Sequence, residues 1–147
     1  KYIVTSRADS SIGDQMLLML KHMLTDVYET SHPALNVIDH LCDITKEDCV
    51  VAVSFPRYSE MDRLALEMAY DAGAKIVLIT DKASSPLAKY ATQLLTVSVD
   101  SNAFFNSFVA VVFTLELLCT FISKKMGYSP EAKLELIDQY LSKVGLF

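Results

Sequence analysis

Two short segments of this chain carry groups able to hold a small anion. In Ser54-Phe55-Pro56-Arg57-Tyr58-Ser59, two hydroxyls and a guanidinium follow the apolar run Cys49–Val53 and precede an amphipathic helical pattern. In Ser6-Arg7-Ala8-Asp9-Ser10-Ser11, hydroxyls and a second guanidinium stand between the apolar Tyr2-Ile3-Val4 and another helical pattern. Arg7 and Arg57 are two of only three arginines in the chain. A loop that opens a helix presents unpaired N–H groups and the positive end of the helix dipole, and arginine adds a planar fork of donors. The chemistry offered is noncovalent capture of an anion.

Groups for bond-breaking are harder to find. Proton abstraction from carbon needs a Glu or His base beside the substrate. His22 lies in an apolar helical pattern, His32 precedes Pro33 in a connection, and His40 follows a strand pattern, so none falls in either loop. The nearest acids, Asp9, Glu60 and Asp81, have no base-plus-partner spacing. Four glycines, at 13, 73, 127 and 145, form neither a P-loop nor a dinucleotide fingerprint. Cys42, Cys49 and Cys119 lack metal-ligand spacing, and no nucleophile elbow appears. No metal and no cofactor is expected.

Composition bounds the rest. At 147 residues, 52% hydrophobic and 21% charged, the chain reads as one folded domain over residues 1–147. A net charge of −5 disfavours direct nucleic-acid contact. With an odd cysteine count and a start directly on a strand pattern rather than a signal peptide, a reduced cytoplasm is the expected setting. Its start on a strand pattern is expected of a domain cut from a longer protein.

The elements that must hold these loops alternate regularly. Apolar, β-branched runs at 2–4, 35–38, 49–53, 76–79 and 94–99 suit strands of a parallel sheet covered on both faces. Helical patterns fall at 12–24, with Ser11 and Asp14 at capping-box spacing, and at 60–72, with Ser59 as N-cap, Asp62 three residues on and Gly73 as the stop. The 36–48 connection has room for only a short helix, and Ser85-Pro86 starts another. Residues 103–124 read as a helix apolar almost all round, packed between the sheet and a second subunit rather than in a membrane. Ser129-Pro130 caps a final helix whose Leu134, Ile137, Leu141 and Val144 form one stripe, and Leu146 and Phe147 end the chain on a packed note. The expected fold is an α/β three-layer α/β/α sandwich with a five-stranded parallel sheet in the flavodoxin-like order 2-1-3-4-5. Ligands then bind where the winding reverses, at the ends of strands 1 and 3, which are the two loops singled out above.

Several strings together resemble the sugar isomerase (SIS) domain, in particular the effector domain of RpiR-type transcriptional regulators. They are Val51-Ala52-Val53-Ser54-Phe55-Pro56-Arg57-Tyr58-Ser59, Gly73-Ala74-Lys75, Ile79-Thr80-Asp81, Ser85-Pro86-Leu87-Ala88 and Phe104-Phe105-Asn106-Ser107. The resemblance implies a non-catalytic domain that senses a sugar phosphate or related metabolite. It also implies a homodimer or larger homo-oligomer, with DNA reached through an N-terminal helix-turn-helix domain absent here. It assigns a phosphate to the hydroxyls of Ser54 and Ser59; the loop chemistry adds Ser6, Arg7, Ser10 and Arg57 to the ligand set, with Asp81 orienting Arg57 or a sugar hydroxyl, or else stabilising its turn. Arg57 stands where general SIS domains have glycine. Thr5 replaces another usual glycine, and Asp9 falls near a usual phosphate-binding hydroxyl. Asp9 thus pairs with Arg7 or Arg57, yields to Ser10, marks an uncharged or amino-bearing ligand, or simply caps its helix. The alternatives to sensing are sugar-phosphate isomerisation and a purely architectural dimerisation domain.

Overall fold

The short β-branched runs do form one parallel sheet. In the computed structural model, which describes residues 1–5, 10–30, 37–127 and 131–145, the strands are β1 (Tyr2–Thr5), β2 (Tyr28–Glu29), β3 (Cys49–Val53), β4 (Lys75–Thr80) and β5 (Gln93–Thr96). Their order is β2-β1-β3-β4-β5. The helices are α1 (Ser10–Met23), α2 (Val37–Leu41), α3 (Glu60–Asp71), α4 (Val109–Met126) and α5 (Glu131–Lys143). Thr5 pairs with Val53 and Val53 with Ile79, so β1, β3 and β4 end level at one edge. Ser6, Arg7, Asp9, His32, Pro33, Leu35, Ser129, Pro130, Leu146 and Phe147 lie outside the described residues.

Strand periodicity divides the core. On one face Val4, Val50, Ala52, Ile76 and Leu78 pack under α2 and α3, against Leu41, Ala65, Leu66 and Ala69. On the other, Ile3, Val53 and Ile79 pack under α1 and α4, against Ile12, Met16, Val111 and Leu115. Most of these side chains are fully buried. The three-layer α/β/α architecture follows directly.

Several elements depart from the sequence reading. The second strand is Tyr28–Glu29 rather than 35–38. The Tyr28 N–H donates to the Lys1 carbonyl (2.9 Å), and the Thr30 N–H and hydroxyl both donate to the Ile3 carbonyl (3.0 and 3.2 Å). Val37 and Ile38 open α2 instead, because Val37 and Leu41, one turn apart, both reach the core. Ser11 does not cap α1, which already begins at Ser10. After Ser85-Pro86 the chain makes a turn and a single 3-10 turn, Ala88–Tyr90. There the Ser85 hydroxyl accepts from the Leu87 N–H (3.4 Å) and its carbonyl from the Ala88 N–H (3.0 Å).

The late apolar helix starts at Val109, not 103. Hydroxyls upstream compete for the backbone: Ser98 accepts from the Asp100 N–H (3.2 Å) and Ser101 from the Ala103 N–H (3.0 Å). Val111, Leu115 and Cys119 bury one face of α4, while Val109, Phe113, Leu117 and Phe121 leave the opposite face exposed. The stripe expected on α5 is not buried, since α1 and α4 already cover the sheet. Leu134 instead borders a groove with Met19 and His22 of α1.

Candidate functional site

β3 ends where its ladder runs one residue further, the Ser54 N–H donating to the Ile79 carbonyl (3.0 Å). The Ser54 side chain turns inward. Its hydroxyl donates to Asp62 Oδ2 at 2.7 Å, and both residues are buried, at 1% and 2% exposure. Asp62 is the third residue of α3, so its carboxylate sits in the first turn, where the helix dipole favours a negative charge. The anion at this helix end is therefore, in part, the protein's own.

Around that buried pair the loop carries three further groups. Ser59 is the N-cap of α3, with φ −83° and ψ 138°, and its hydroxyl oxygen accepts from the Met61 N–H (3.1 Å). Tyr58 leans across to β4, its hydroxyl donating to Asp81 Oδ1 at 2.5 Å. The Thr80 hydroxyl donates to the same oxygen (3.3 Å), and Lys82 Nζ stands 3.8 Å from Asp81 Oδ2. Burial first, and then the Asp81 hydrogen bond, hold the Tyr58 phenol above its usual range.

Arg57 differs from its neighbours. Its φ is +73°, a left-handed conformation that disfavours side chains with a Cβ. Among the described residues its exposed guanidinium has no hydrogen-bond or ion-pair partner. Pro56 and Tyr58, each fixed by ring geometry or hydrogen bond, hold it there. Arg57 borders a cleft of about 390 Å³ formed by Phe55 and Pro56 on one side and Phe104, Phe105, Asn106 and Phe108 on the other.

The first loop shows only its two ends. Thr5, at the end of β1, is buried, and its Oγ1 has no hydrogen-bond partner among the described residues. Gly13 lies so close that a Cβ there would stand 2.3 Å from Thr5 Oγ1. The close strand–helix approach is thus kept by a glycine on α1, with threonine on the strand. Ser10 is half-buried at the start of α1.

Of the sequence-predicted residues, then, Arg57 and Ser59 share the exposed loop, and Ser54 lies beneath it on Asp62. Asp81 is engaged by Tyr58 rather than by Arg57. Ser6 and Arg7 lie outside the described residues. Sequence reasoning placed Asp62 only at capping-box spacing from Ser59, not on Ser54, and did not single out Tyr58 or the aromatic cleft. The Phe104-Phe105-Asn106 string was visible, but it was read as helix. Among the described residues no three His, Cys, Asp or Glu side chains gather as a metal site, and no helix is long and apolar enough to cross a membrane.

Comparison with known proteins adds the following. A family model described as the SIS domain matches residues 2–121. No curated protein matches the chain. Among solved structures, the sugar isomerase domain of an RpiR transcription factor from Sphaerobacter thermophilus superposes with a TM-score of 0.81 at 20% identity, over 94% of this chain and 75% of that one. The Vibrio vulnificus NanR protein complexed with ManNAc-6P gives 0.76 at 17% identity, over 99% of this chain but 55% of that one. A hypothetical protein from Methanococcus jannaschii, whose structure was taken to infer a 3-hexulose-6-phosphate isomerase function, gives 0.73 at 14%, over 91% and 74%. At these identities the likeness is one of fold.

Proposed function

The chain belongs to the SIS domain family, and from that premise we propose that it is the non-catalytic sugar-phosphate-sensing effector domain of an RpiR-type transcription regulator. The observation that carries this reading is Arg57, whose guanidinium has no partner among the described residues and whose backbone is strained, at the reversal point of the sheet. Backbone strain of this kind concentrates at ligand clamps, and the reversal point is where open α/β sheets take their ligands. Arg57, with Ser59 and the α3 N-terminus behind it, receives the anionic end of the ligand. Ser6, Arg7 and Ser10 complete the site from the first loop.

Sensing is favoured over isomerisation by the state of the nearby acids. Asp62 accepts from Ser54 and Asp81 from Tyr58, so each carboxylate already holds a structural proton donor. The isomerase-like fold neighbour keeps turnover as the second reading.

The signal leaves through α4. Val109, Phe113, Leu117 and Phe121 recur every fourth residue on one helix face and expose roughly 450 Å² of apolar side chain. A contiguous patch of that size marks an interaction surface, here for a second copy of the domain. Ligand closure on the loop after β3 shifts α4 through the Phe55–Phe108 ring contact (5.7 Å) and so respaces DNA-binding parts carried elsewhere in the protein. A cytoplasmic setting accords with three free thiols.

The test is a melting-temperature panel of phosphorylated sugars, amino sugars and their unphosphorylated forms. A ligand at about 100 times its Kd adds about 2.7 kcal/mol, a rise of several degrees for a domain of this size. A phosphate-dependent rise without product on prolonged incubation is the expected result. Product formation would make the domain an isomerase, and silence across the panel would make it architectural.

A further inference from the structure

The cleft beside Arg57 is more apolar than capture of a sugar phosphate requires. Phe104 and Phe105 are 92% and 77% exposed and stand perpendicular at 4.9 Å, while Phe55 and Phe108 form its floor. Large rings left in water mark a surface that something covers. The cleft volume, about 390 Å³, lies within the range of small-molecule sites.

The loop's polar groups, by contrast, are largely taken. Ser54 donates to Asp62, Tyr58 donates to Asp81, and Ser59 accepts from Met61. Among the described residues, the polar side chains that line the cleft are those of Arg57 and Asn106. A polyol ringed with hydroxyls matches that wall poorly. A molecule with one anionic group, one amide-like group and an apolar substituent matches it well, because charge meets Arg57 and carbon meets the phenylalanines.

We propose that this cleft is a subsite for an apolar substituent, so that the domain recognises small anions carrying an acyl or aryl group. The inference rests on the reading above only in giving the ligand's anionic end to Arg57.

The test uses two variants and two kinds of probe. Phe105→Ala removes an exposed ring, and Arg57→Gly removes the guanidinium while suiting the left-handed backbone. Calorimetry compares mannosamine 6-phosphate with its N-acetyl and N-butanoyl derivatives. Fluorescence titration with 8-anilinonaphthalene-1-sulfonate supplies an aryl anion that is not a sugar. In the wild type, each added methylene should tighten binding by about fourfold, and Phe105→Ala should flatten the series. Each variant should weaken the arylsulfonate by about tenfold.

A flat acyl series in a wild type that does bind the sugar phosphates overturns the proposal. So does an arylsulfonate affinity indifferent to both variants. If no sugar phosphate binds but the arylsulfonate depends on Arg57 and Phe105, the subsite stands and the sugar-sensing reading falls. If Phe105→Ala instead breaks a dimer and leaves both affinities unchanged, a second copy covers the rings and the proposal fails.

Discussion

Replacing Ser54 by alanine separates two roles that the same residue could have. In the structure its hydroxyl is buried and donates to the Asp62 carboxylate at 2.7 Å, so the substitution leaves a buried charge short of one donor. A hydrogen bond to a charged group contributes about 1.5–3 kcal/mol, and the further interaction that Asp62 makes keeps the loss near the middle of that range. With an unfolding entropy of about 0.3 kcal/mol/K for a chain of this length, a loss of about 2 kcal/mol lowers Tm by about 6 °C. Affinity for the best binder of the melting panel should change by less than about threefold, because the hydroxyl does not reach the cleft. Asp62→Asn keeps an acceptor and should cost less. Combined with Ser54→Ala it should reveal a coupling of about 1 kcal/mol or more. Scanning calorimetry and ligand titration of the three variants give both readouts. A Ser54→Ala protein that melts within about 1 °C of wild type and binds about tenfold more weakly would refute the buried pairing as the residue's main role.

Gly13→Ala should destabilise by about 1–3 kcal/mol through overpacking, since its Cβ would meet Thr5 Oγ1 at 2.3 Å; adding Thr5→Ala should restore most of the loss in thermal melts. The Tyr58 phenol is held above its ordinary range by burial and by Asp81, so the unfolded chain loses its proton first, near pH 10. The stability tied to this group is intact below about pH 10 and declines as pH rises through the folded value. Tyr58→Phe should therefore shallow the alkaline limb of a pH–stability curve, the raised phenol of Tyr2 and the raised thiols of Cys49 and Cys119 keeping the remainder. Phe113→Glu on the exposed face of α4 should yield a monomer of 16.4 kDa in sedimentation with an unchanged circular dichroism spectrum. A wild type already monomeric at the same concentration would remove the basis for the α4 interface.

Much of the fold was legible because the central strands are written as unbroken apolar runs. Cys49–Val53 and Ile76–Ile79 are largely covered on both faces and read that way. β2 was not legible because a two-residue edge strand needs little apolar content. Tyr28 is exposed, and Val27 and Thr30 flank the strand rather than extend it. Val37-Ile38 carried the stronger local β signal, and tertiary burial of Val37 with Leu41 overrode it. In the site, the loop's residues announced themselves by type, and the Ser59 cap followed from local spacing. The use of Ser54 did not. Its partner lies eight residues away across the loop, and only the folded turn shows that a carboxylate already holds the hydroxyl. The aromatic cleft was hidden for a related reason, because the hydroxyls at Ser98 and Ser101 take backbone hydrogen bonds and keep Phe104 and Phe105 out of the helix.

The uneven sheet also decides where the chain opens first. β3 pairs on both sides, with four of its five residues to β1 and all five to β4, whereas β2 has two pairs, both to β1. Amide exchange should be slowest in Val50–Val53 and fastest at the β2 margin and along α5, whose described side chains are all at least partly exposed. Fraying at those margins is local, since neither contributes a residue to the cleft. The loop that carries Arg57 springs from the strand that loosens last, so its geometry survives the frequent small excursions of the periphery. A protease could therefore trim the domain from its least protected segments while the remaining body still binds its ligand.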